Sequence, residues 1–244
     1  EGYYADRCME CHSATVRIME EKGLEPPTLE DFRTGAYKND RYGITCIVCH
    51  DPHERAEEFQ LKTDLQTTCT QCHTGEIEED TAFAAGEEVH HPQKEMFGGY
   101  GGYGIEGLMP SPKTATCESC HMTEGNHFFK VGTPEITLPT HGGEEEFNSC
   151  AGCHAGMTEA RIEEVQGEIE AKIEELKAKL EDAKARLEFL NSIGLDTTES
   201  QSLYDKAFTN VSFVEHDAST GIHNTPYARA LLKAAEEMLD EILP

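Results

Sequence analysis

Ten cysteines and five histidines of this 244-residue chain form five copies of the pattern Cys-x-x-Cys-His. The copies are Cys8/Cys11/His12, Cys46/Cys49/His50, Cys69/Cys72/His73, Cys117/Cys120/His121 and Cys150/Cys153/His154, and they use every cysteine. Two thiols three positions apart lie on one side of a helical turn, where they can bond the two vinyl groups of one porphyrin. The histidine that follows can then reach the iron. The pattern therefore predicts five covalently attached c-type haems.

Other uses of these cysteines agree less well with their number and context. Structural zinc sites need Cys-x-x-Cys pairs in twos, and five is odd. A thioredoxin-type redox motif would occur once, without a histidine after each second cysteine. A disulfide framework would not need those histidines either. The haem interpretation is the one that explains both the cysteines and the histidines.

Seven further histidines could bind the opposite face of each iron: His53, His90, His91, His127, His141, His216 and His223. Of the adjacent pair His90 and His91 we expect only one to be a ligand, and His216 is the weakest candidate. An iron with two imidazoles has no open position for substrate, so it transfers electrons and does little other chemistry. The surplus of histidines therefore favours an electron-transfer protein over an enzyme, and no catalytic residue is predicted.

Composition predicts an acidic protein with a thin side-chain core. Basic residues number 20 and acidic residues 47, which gives a formal charge of −27. Such a charge repels nucleic acid and anionic lipid. Hydrophobic residues make up 37% and aromatic residues 7%, and tryptophan is absent. We expect a mainly α fold with extensive loops, in which a stack of haems forms the core and a long helix lies near the C-terminus.

The chain divides into two regions that differ in composition and in hydrophobic periodicity. Residues 1–156 hold all five motifs between Gly-, Pro- and Thr-containing segments, which predicts a pentahaem-binding domain. Residues 157–244 are predicted as a C-terminal helical region. Its first helix starts near Thr158 and ends at Gly194, a second covers about 199–214, and a third starts with Thr225 as N-cap.

The first of these helices carries an apolar stripe with steps of three and four residues. The stripe consists of Ile162, Val165, Ile169, Ile173, Leu176, Leu180, Ala183, Leu187 and Leu190. It could pack within its own chain or pair with another subunit, and the periodicity does not decide between these partners. A homo-oligomer is one expectation. Acid-before-base pairs four residues apart, such as Glu168 with Lys172 and Glu175 with Lys179, are expected on the outer face.

No segment has 18 consecutive apolar residues, so no membrane span is predicted. Because the sequence starts at Glu1 and c-type haems are attached outside the cytoplasmic membrane, we expect a secreted protein whose signal peptide has been removed. The expected location is periplasmic or extracellular.

Several short segments resemble known multihaem cytochromes. The stretch Gly221–Asn224 with Tyr227, followed by a leucine-rich helix, resembles the distal-ligand region of ammonia-forming cytochrome c nitrite reductases. The segments 49–53, His90–Pro92 and 120–127 are similar to those of the wider group with hydroxylamine oxidoreductase and the octahaem cytochromes. This resemblance implies that His53, His127 and His223 are distal ligands.

The chain departs from the nitrite reductases in one decisive motif. Those enzymes have a Cys-x-x-Cys-Lys site whose haem keeps an open face, and this sequence contains no such motif. In plan the chain also looks similar to secreted multihaem cytochromes that polymerise into extracellular conducting filaments. We expect electron transfer through five bis-histidine haems to redox partner proteins or extracellular acceptors, in an oligomer or filament. The alternative is a reductase of nitrite, hydroxylamine or sulfur oxyanions with one open haem.

Overall fold

The structure is a computed structural model that describes residues 8–39, 42–53, 58–112, 114–127, 129–132, 137–140, 143–146, 149–150 and 153–243. Helices and loops dominate this part of the chain, as the sequence predicts. The α-helices are α1 Cys8–His12, α2 Ala14–Glu21, α3 Leu29–Arg33, α4 Cys46–Cys49, α5 Leu65–Thr70, α6 Gln93–Gly98, α7 Cys117–His121, α8 Glu159–Ser192, α9 Thr198–His216 and α10 Thr225–Ile242. Short 3-10 segments lie at Glu58–Gln60 and Thr123–Gly125. No helix among these residues is long and apolar enough to span a bilayer.

One small hairpin was not predicted. Strands β1 Thr137–Thr140 and β2 Gly143–Glu146 pair antiparallel, with Thr137 opposite Glu146 and Thr140 opposite Gly143. Alternation over four residues is too short to detect in a sequence rich in turn residues. The predicted ligand His141 lies outside the described residues.

The chain forms two compact units, residues 1–72 and residues 73–244. The boundary falls within the third Cys-x-x-Cys-His motif, after Cys72. The division into residues 1–156 and 157–244 concerns the extent of the haem motifs and stays a prediction.

The first unit consists of short helices around the haem motifs. Among the described residues of this unit the buried hydrophobic side chains are few: Ala14, Val16, Phe32 and Leu61. The Ser13 hydroxyl accepts a hydrogen bond from the backbone of Val16 and caps α2. This small set of apolar side chains agrees with the thin core expected from composition.

The second unit contains a three-helix assembly of α8, α9 and α10. The buried side chains of α8 are Ile169, Ile173, Leu176, Leu180, Ala183 and Leu187, all from the predicted stripe. They join one hydrophobic cluster with side chains of α9 and α10, such as Val211, Val214, Leu231 and Leu239. The stripe therefore packs within its own chain. The end members Ile162, Val165 and Leu190 are only partly buried.

Charged residues of α8 have other partners than the expected ones four residues apart. Lys172 pairs with Glu175 within the helix at 3.0 Å, and further pairs cross to α10. Glu168 binds Arg229 at 2.5 Å, whereas Lys172 and Lys179 both bind Glu236, at 2.8 and 3.1 Å. Because α10 lies along α8, its opposite charges reach the same side chains. The cross-helix pairs hold α10 against α8 at the rim of the apolar stripe.

The N-cap of α10 is Asn224, and the prediction of Thr225 was wrong by one residue. The side-chain oxygen of Asn224 accepts from the backbone N–H of Tyr227 at 3.2 Å. Its amide nitrogen donates to the carbonyls of Met96, at 3.1 Å, and Met109, at 2.6 Å. Asn224 is the N-cap because its side chain is held in place by these hydrogen bonds to α6 and to the loop after α6.

Buried polar side chains of α9 anchor the segment that leads to His90 and His91. Thr209 accepts from the backbone of Gly86 at 3.0 Å, and Ser212 accepts from the backbone of Val89 at 2.9 Å. Asn210 accepts from Tyr103 N at 2.8 Å and donates to Tyr103 O at 2.9 Å. These bonds satisfy buried polar groups on both partners and fix residues 84–103 on α9.

Candidate haem-binding site

Three of the five Cys-x-x-Cys-His motifs form short helices that begin at the first cysteine, namely α1, α4 and α7. Cys69 lies in the last turn of α5. In the fifth motif the backbone N–H groups of Cys153 and His154 both donate to the carbonyl of Cys150, at 3.1 and 2.7 Å. The turn geometry places the two thiols on one side, as attachment to one porphyrin requires. All ten cysteines are described and none forms a disulfide.

Thiols of different motifs lie near one another within each unit. The pKa of Cys11 is raised to about 11, first because burial desolvates the thiolate and next because Cys72 lies beside it. Burial and then Cys72 also raise the pKa of Cys49. In the second unit, burial and then Cys120 raise the pKa of Cys150. The attachment points are therefore clustered and partly shielded from water.

Two motif histidines use Nδ1 in the same way. His50 Nδ1 lies 2.9 Å from the carbonyl oxygen of Phe59, and His121 Nδ1 lies 3.1 Å from that of Phe129. Since a carbonyl can only accept, Nδ1 carries the proton and Nε2 presents its lone pair. That is the tautomer and orientation of a metal-ligating histidine.

Phe59 and Phe129 share an unusual conformation. Both have a left-handed φ, 59° and 55°, and their side chains are 74% and 56% exposed. Left-handed φ costs free energy for a non-glycine residue, so it marks a local constraint. At both positions the left-handed backbone directs the phenylalanine carbonyl toward a motif histidine and leaves the apolar ring beside the motif.

Apolar surface also surrounds the first two motifs. An apolar cleft of about 280 Å³ lies in the first unit. Its lining residues are Ala14, Thr15, Ile18, Met19, Tyr42, Thr45 and Ile47. Exposed large apolar side chains beside thiols are what a covalently attached porphyrin would cover. The residues present therefore fit c-type haem.

Two pairs of histidine rings lie at the distance expected for two ligands of one metal, with interplanar angles of 55° for His121 and His223 and 87° for His73 and His91. Ring centres of His121 and His223 are 6.0 Å apart, and those of His73 and His91 are 6.2 Å apart. Two imidazoles bonded to one metal by bonds of about 2 Å have ring centres roughly 6 Å apart. Each pair thus combines a motif histidine with one of the predicted distal ligands.

His223 is held by a buried carboxylate. Its Nδ1 donates to Asp217 Oδ1 at 2.7 Å, and the Asp217 side chain has no exposed surface. Burial by itself lowers the pKa of the His223 ring, but the hydrogen bond and charge of Asp217 outweigh burial and raise that pKa. The His223 carbonyl accepts from Ser111 Oγ at 2.5 Å, which fixes the backbone.

His91 and His90 differ in their surroundings. His91 is half-buried with a left-handed φ of 50° and directly precedes buried Pro92 and α6. His90 is exposed, and its ring centre lies 4.0 Å from that of His91. Of these two histidines, only His91 has a ring contact with a motif histidine in the described part of the chain.

The structure does not bring the other predicted ligands into facing pairs within the described residues. His53 and His127 are exposed; the backbone N–H of His53 binds Asp51, and His127 Nδ1 lies 2.9 Å from the Gly125 carbonyl. His12 and His154 are exposed motif histidines. His216 lies 2.9 Å from Glu88 through Nε2. No three His, Cys, Asp or Glu side chains of the described ranges converge as a protein-only metal site would need.

Sequence reasoning missed two residues whose side chains contact predicted ligand histidines. Gln93 Oε1 lies 3.3 Å from His73 Nδ1, and Asp217 binds His223. The signal for Asp217 was weak, since one acid among 47 acidic residues does not stand out. Gln93 had a clearer position, directly after the His-His-Pro segment, but an amide carries no chemical signature of its own.

Comparison with known proteins supports the haem interpretation. Residues 53–167 match the family model described as "Outer membrane cytochrome MtrC/MtrF-like, domains II/IV". A comparison with curated protein sequences gave no significant match.

Two solved structures resemble nearly the whole chain. The undecahaem cytochrome from the S-layer of Carboxydothermus ferrireducens is 30% identical, with a TM-score of 0.75 over 99% of this chain and 39% of that protein. Outer cell wall cytochrome OcwA is 33% identical, with a TM-score of 0.72 over 98% of this chain and 46% of that protein. The chain therefore spans less than half the length of either protein.

A third structure shares the fold. It is the catalytic subunit NrfA of the cytochrome c nitrite reductase from Desulfovibrio desulfuricans ATCC 27774, with 16% identity and a TM-score of 0.67. The match covers 100% of this chain and 65% of that one. The attachment motifs, the family match and the fold agree, and in all three respects the chain is similar to multihaem c-type cytochromes.

Proposed function

We propose that the chain holds five c-type haems, each with histidine on both faces of the iron, and that it passes electrons among them. The observation that carries this proposal is the close approach of two pairs of imidazole rings, His73 with His91 and His121 with His223, at 6.2 and 6.0 Å between ring centres. When bound, the haem iron supplies reversible one-electron chemistry. Two imidazoles occupy both axial positions, so these two sites favour electron transfer over substrate binding.

The side chains of this protein have three tasks in the proposal. The ten thiols tether the porphyrins, the histidine Nε2 atoms ligate the irons, and acceptors at Nδ1 orient the rings. Close approach of thiols from different motifs, such as Cys11 with Cys72 and Cys120 with Cys150, supports close packing of the sites within each unit. Electrons move rapidly only over short distances, so close packing serves this function.

The proposed location is outside the cytoplasmic membrane, and the proposed acceptors are redox proteins or extracellular acceptors. This rests on covalent haem attachment and on the relatives from an S-layer and an outer cell wall. The formal charge of −27 favours partners with a positive docking surface. We also propose assembly into an oligomer or filament.

The alternative function is reduction of nitrite, hydroxylamine or a sulfur oxyanion at one open haem. The shared fold with a nitrite reductase favours testing it, although identity at 16% supports the fold alone. In this alternative the open haem is attached through His12, His50 or His154, since His73 and His121 each lie about 6 Å from a second histidine ring.

Mass and ligand-binding measurements on the purified holoprotein test the proposal. We expect a mass increase of five haems per chain and no change in the oxidised absorption spectrum on adding cyanide or nitrite. Sizing and electron microscopy of the same sample would show an oligomer or fibre. Fewer haems, or saturable binding of cyanide or nitrite at one haem, would favour the alternative.

A further inference from the structure

A hydrogen-bonded bridge connects the two facing histidine pairs. The Gln93 side chain meets His73 Nδ1 through its oxygen at 3.3 Å. Its nitrogen donates to the backbone carbonyls of Asp217, at 3.1 Å, and His216, at 3.4 Å. The Asp217 carboxylate in turn accepts from His223 Nδ1 at 2.7 Å. Two side chains therefore link a motif histidine of one pair to the distal histidine of the other.

The Asp217 end of the bridge is buried and fully engaged. Its carboxylate accepts hydrogen bonds from His223 and from the Ser219 hydroxyl. Ser219 Oγ also accepts from the backbone N–H of His223 at 3.0 Å. Burying a carboxylate costs free energy unless it is hydrogen-bonded. The burial of Asp217 between two predicted ligand sites therefore indicates a functional role.

The Gln93 end is fixed by α6. Gln93 is the first residue of that helix, and the backbone N–H of Lys94 donates to the His73 carbonyl at 3.0 Å. Buried Glu95 accepts from Thr74 Oγ1 at 2.8 Å and from Gly75 N at 2.9 Å. The segment after His73 is thus held by three consecutive residues of α6.

We propose that Gln93 and Asp217 are positioning residues that set different reduction potentials at two neighbouring haems. The inference rests on the proposed function, because it assigns His73 with His91 and His121 with His223 as axial pairs. Asp217 places a buried negative charge beside Nδ1 of His223, the proposed iron ligand. This charge makes His223 a stronger electron-pair donor to the iron and stabilises the ferric state. Gln93 presents a neutral oxygen to His73 Nδ1, so His73 has no charged acceptor on its ring; the nearby buried carboxylate of Glu95 is bound by Thr74 and Gly75 instead.

The structure therefore assigns the lower potential of the two to the site of His121 and His223. The bridge also fixes the two sites relative to each other, because the same amide contacts one ligand and the segment that carries the other. The two side chains would therefore set the difference in reduction potential between the two haems that exchange an electron.

Redox titration of charge variants tests the inference. Asp217→Asn removes the charge and keeps the size, and we expect one component of the titration to shift upward. Gln93→Glu keeps an acceptor for His73 and adds a charge, and we expect a different component to shift downward. The matched control is Asp182→Asn, which removes an exposed carboxylate of α8 and should move no single component.

Spectroscopy separates a positioning role from a structural one. In each variant the electron paramagnetic resonance signal of one low-spin centre should change while haem content and circular dichroism stay as in the parent protein. In the double variant both shifts should appear together. Shifts of the same component in both variants, or shifts no larger than in the control, would overturn the inference.

A second variant covers failure of Asp217→Asn to fold. Ser219→Ala leaves the carboxylate in place but removes one hydrogen bond to it, so Asp217 should accept more strongly from His223. The component assigned to His223 should then shift downward, and an unchanged potential would contradict the inference. A high-spin centre in the parent protein would instead count against the proposed function, so the two failures are distinguishable.

Discussion

At the residue scale, His90 and His91 show that local placement determines which of two identical side chains lies near a motif histidine. Both have the same chemistry and adjacent positions, and the sequence could say only that one of them would be a ligand. His91 faces His73 at 6.2 Å, whereas His90 is exposed. Buried Pro92 and α6 behind the pair, and the bonds of residues 84–103 to α9, fix which ring turns inward.

Replacing either histidine tests this difference, and each variant is the matched control of the other. His91→Ala should leave the iron of His73 with one protein ligand, producing one high-spin ferric haem per chain that binds cyanide. His90→Ala should retain the parent spectrum. Electron paramagnetic resonance and cyanide titration measure both. A high-spin signal in His90→Ala alone would reverse the assignment.

At the element scale, helices follow from the sequence but their partners do not. The stripe on α8 predicts a buried face, and six of its members are buried in the cluster with α9 and α10. Periodicity describes one surface only, so packing within the chain and pairing between subunits gave the same pattern. The buried polar residues of α9 were missed because Thr209, Asn210 and Ser212 have no periodic signal, and their partners lie more than 100 residues away.

Truncating the centre of the α8 stripe tests the helical assembly. Leu176 is fully buried, so Leu176→Ala should lower the free energy of unfolding by about 2–5 kcal/mol. The control Glu170→Ala changes an exposed residue of the same helix and should alter stability by less than about 0.5 kcal/mol. Thermal unfolding followed by circular dichroism compares the two variants. Equal stabilities would show that α8 is not packed as described.

The same distinction applies to the site. The sequence predicts which thiols and histidines could hold haem, because that chemistry needs fixed residue types at fixed spacing. It does not predict which distal histidine faces which motif, because Asp217 and α6 bring those residues together through tertiary contacts. Nor does it reveal the acceptors at Nδ1, which include the backbone carbonyls of Phe59, Phe129, Gly125 and Ser212.

At the scale of the whole molecule, the porphyrins explain the composition. In the part of the unit of residues 1–72 that the structure describes, only a few apolar side chains are buried, yet three pairs of motif cysteines lie there. Large apolar side chains such as Tyr42, Ile44 and Ile47 stay exposed beside them. Covalent haems would cover this surface and complete the core, so folding and haem attachment depend on each other in this account.

The central claim is that every iron has histidine on both faces, and an electron paramagnetic resonance spectrum of the oxidised, fully loaded protein tests it directly. We expect only low-spin ferric signals, equivalent to five irons per chain. A high-spin ferric signal amounting to one iron per chain in the native protein would contradict it.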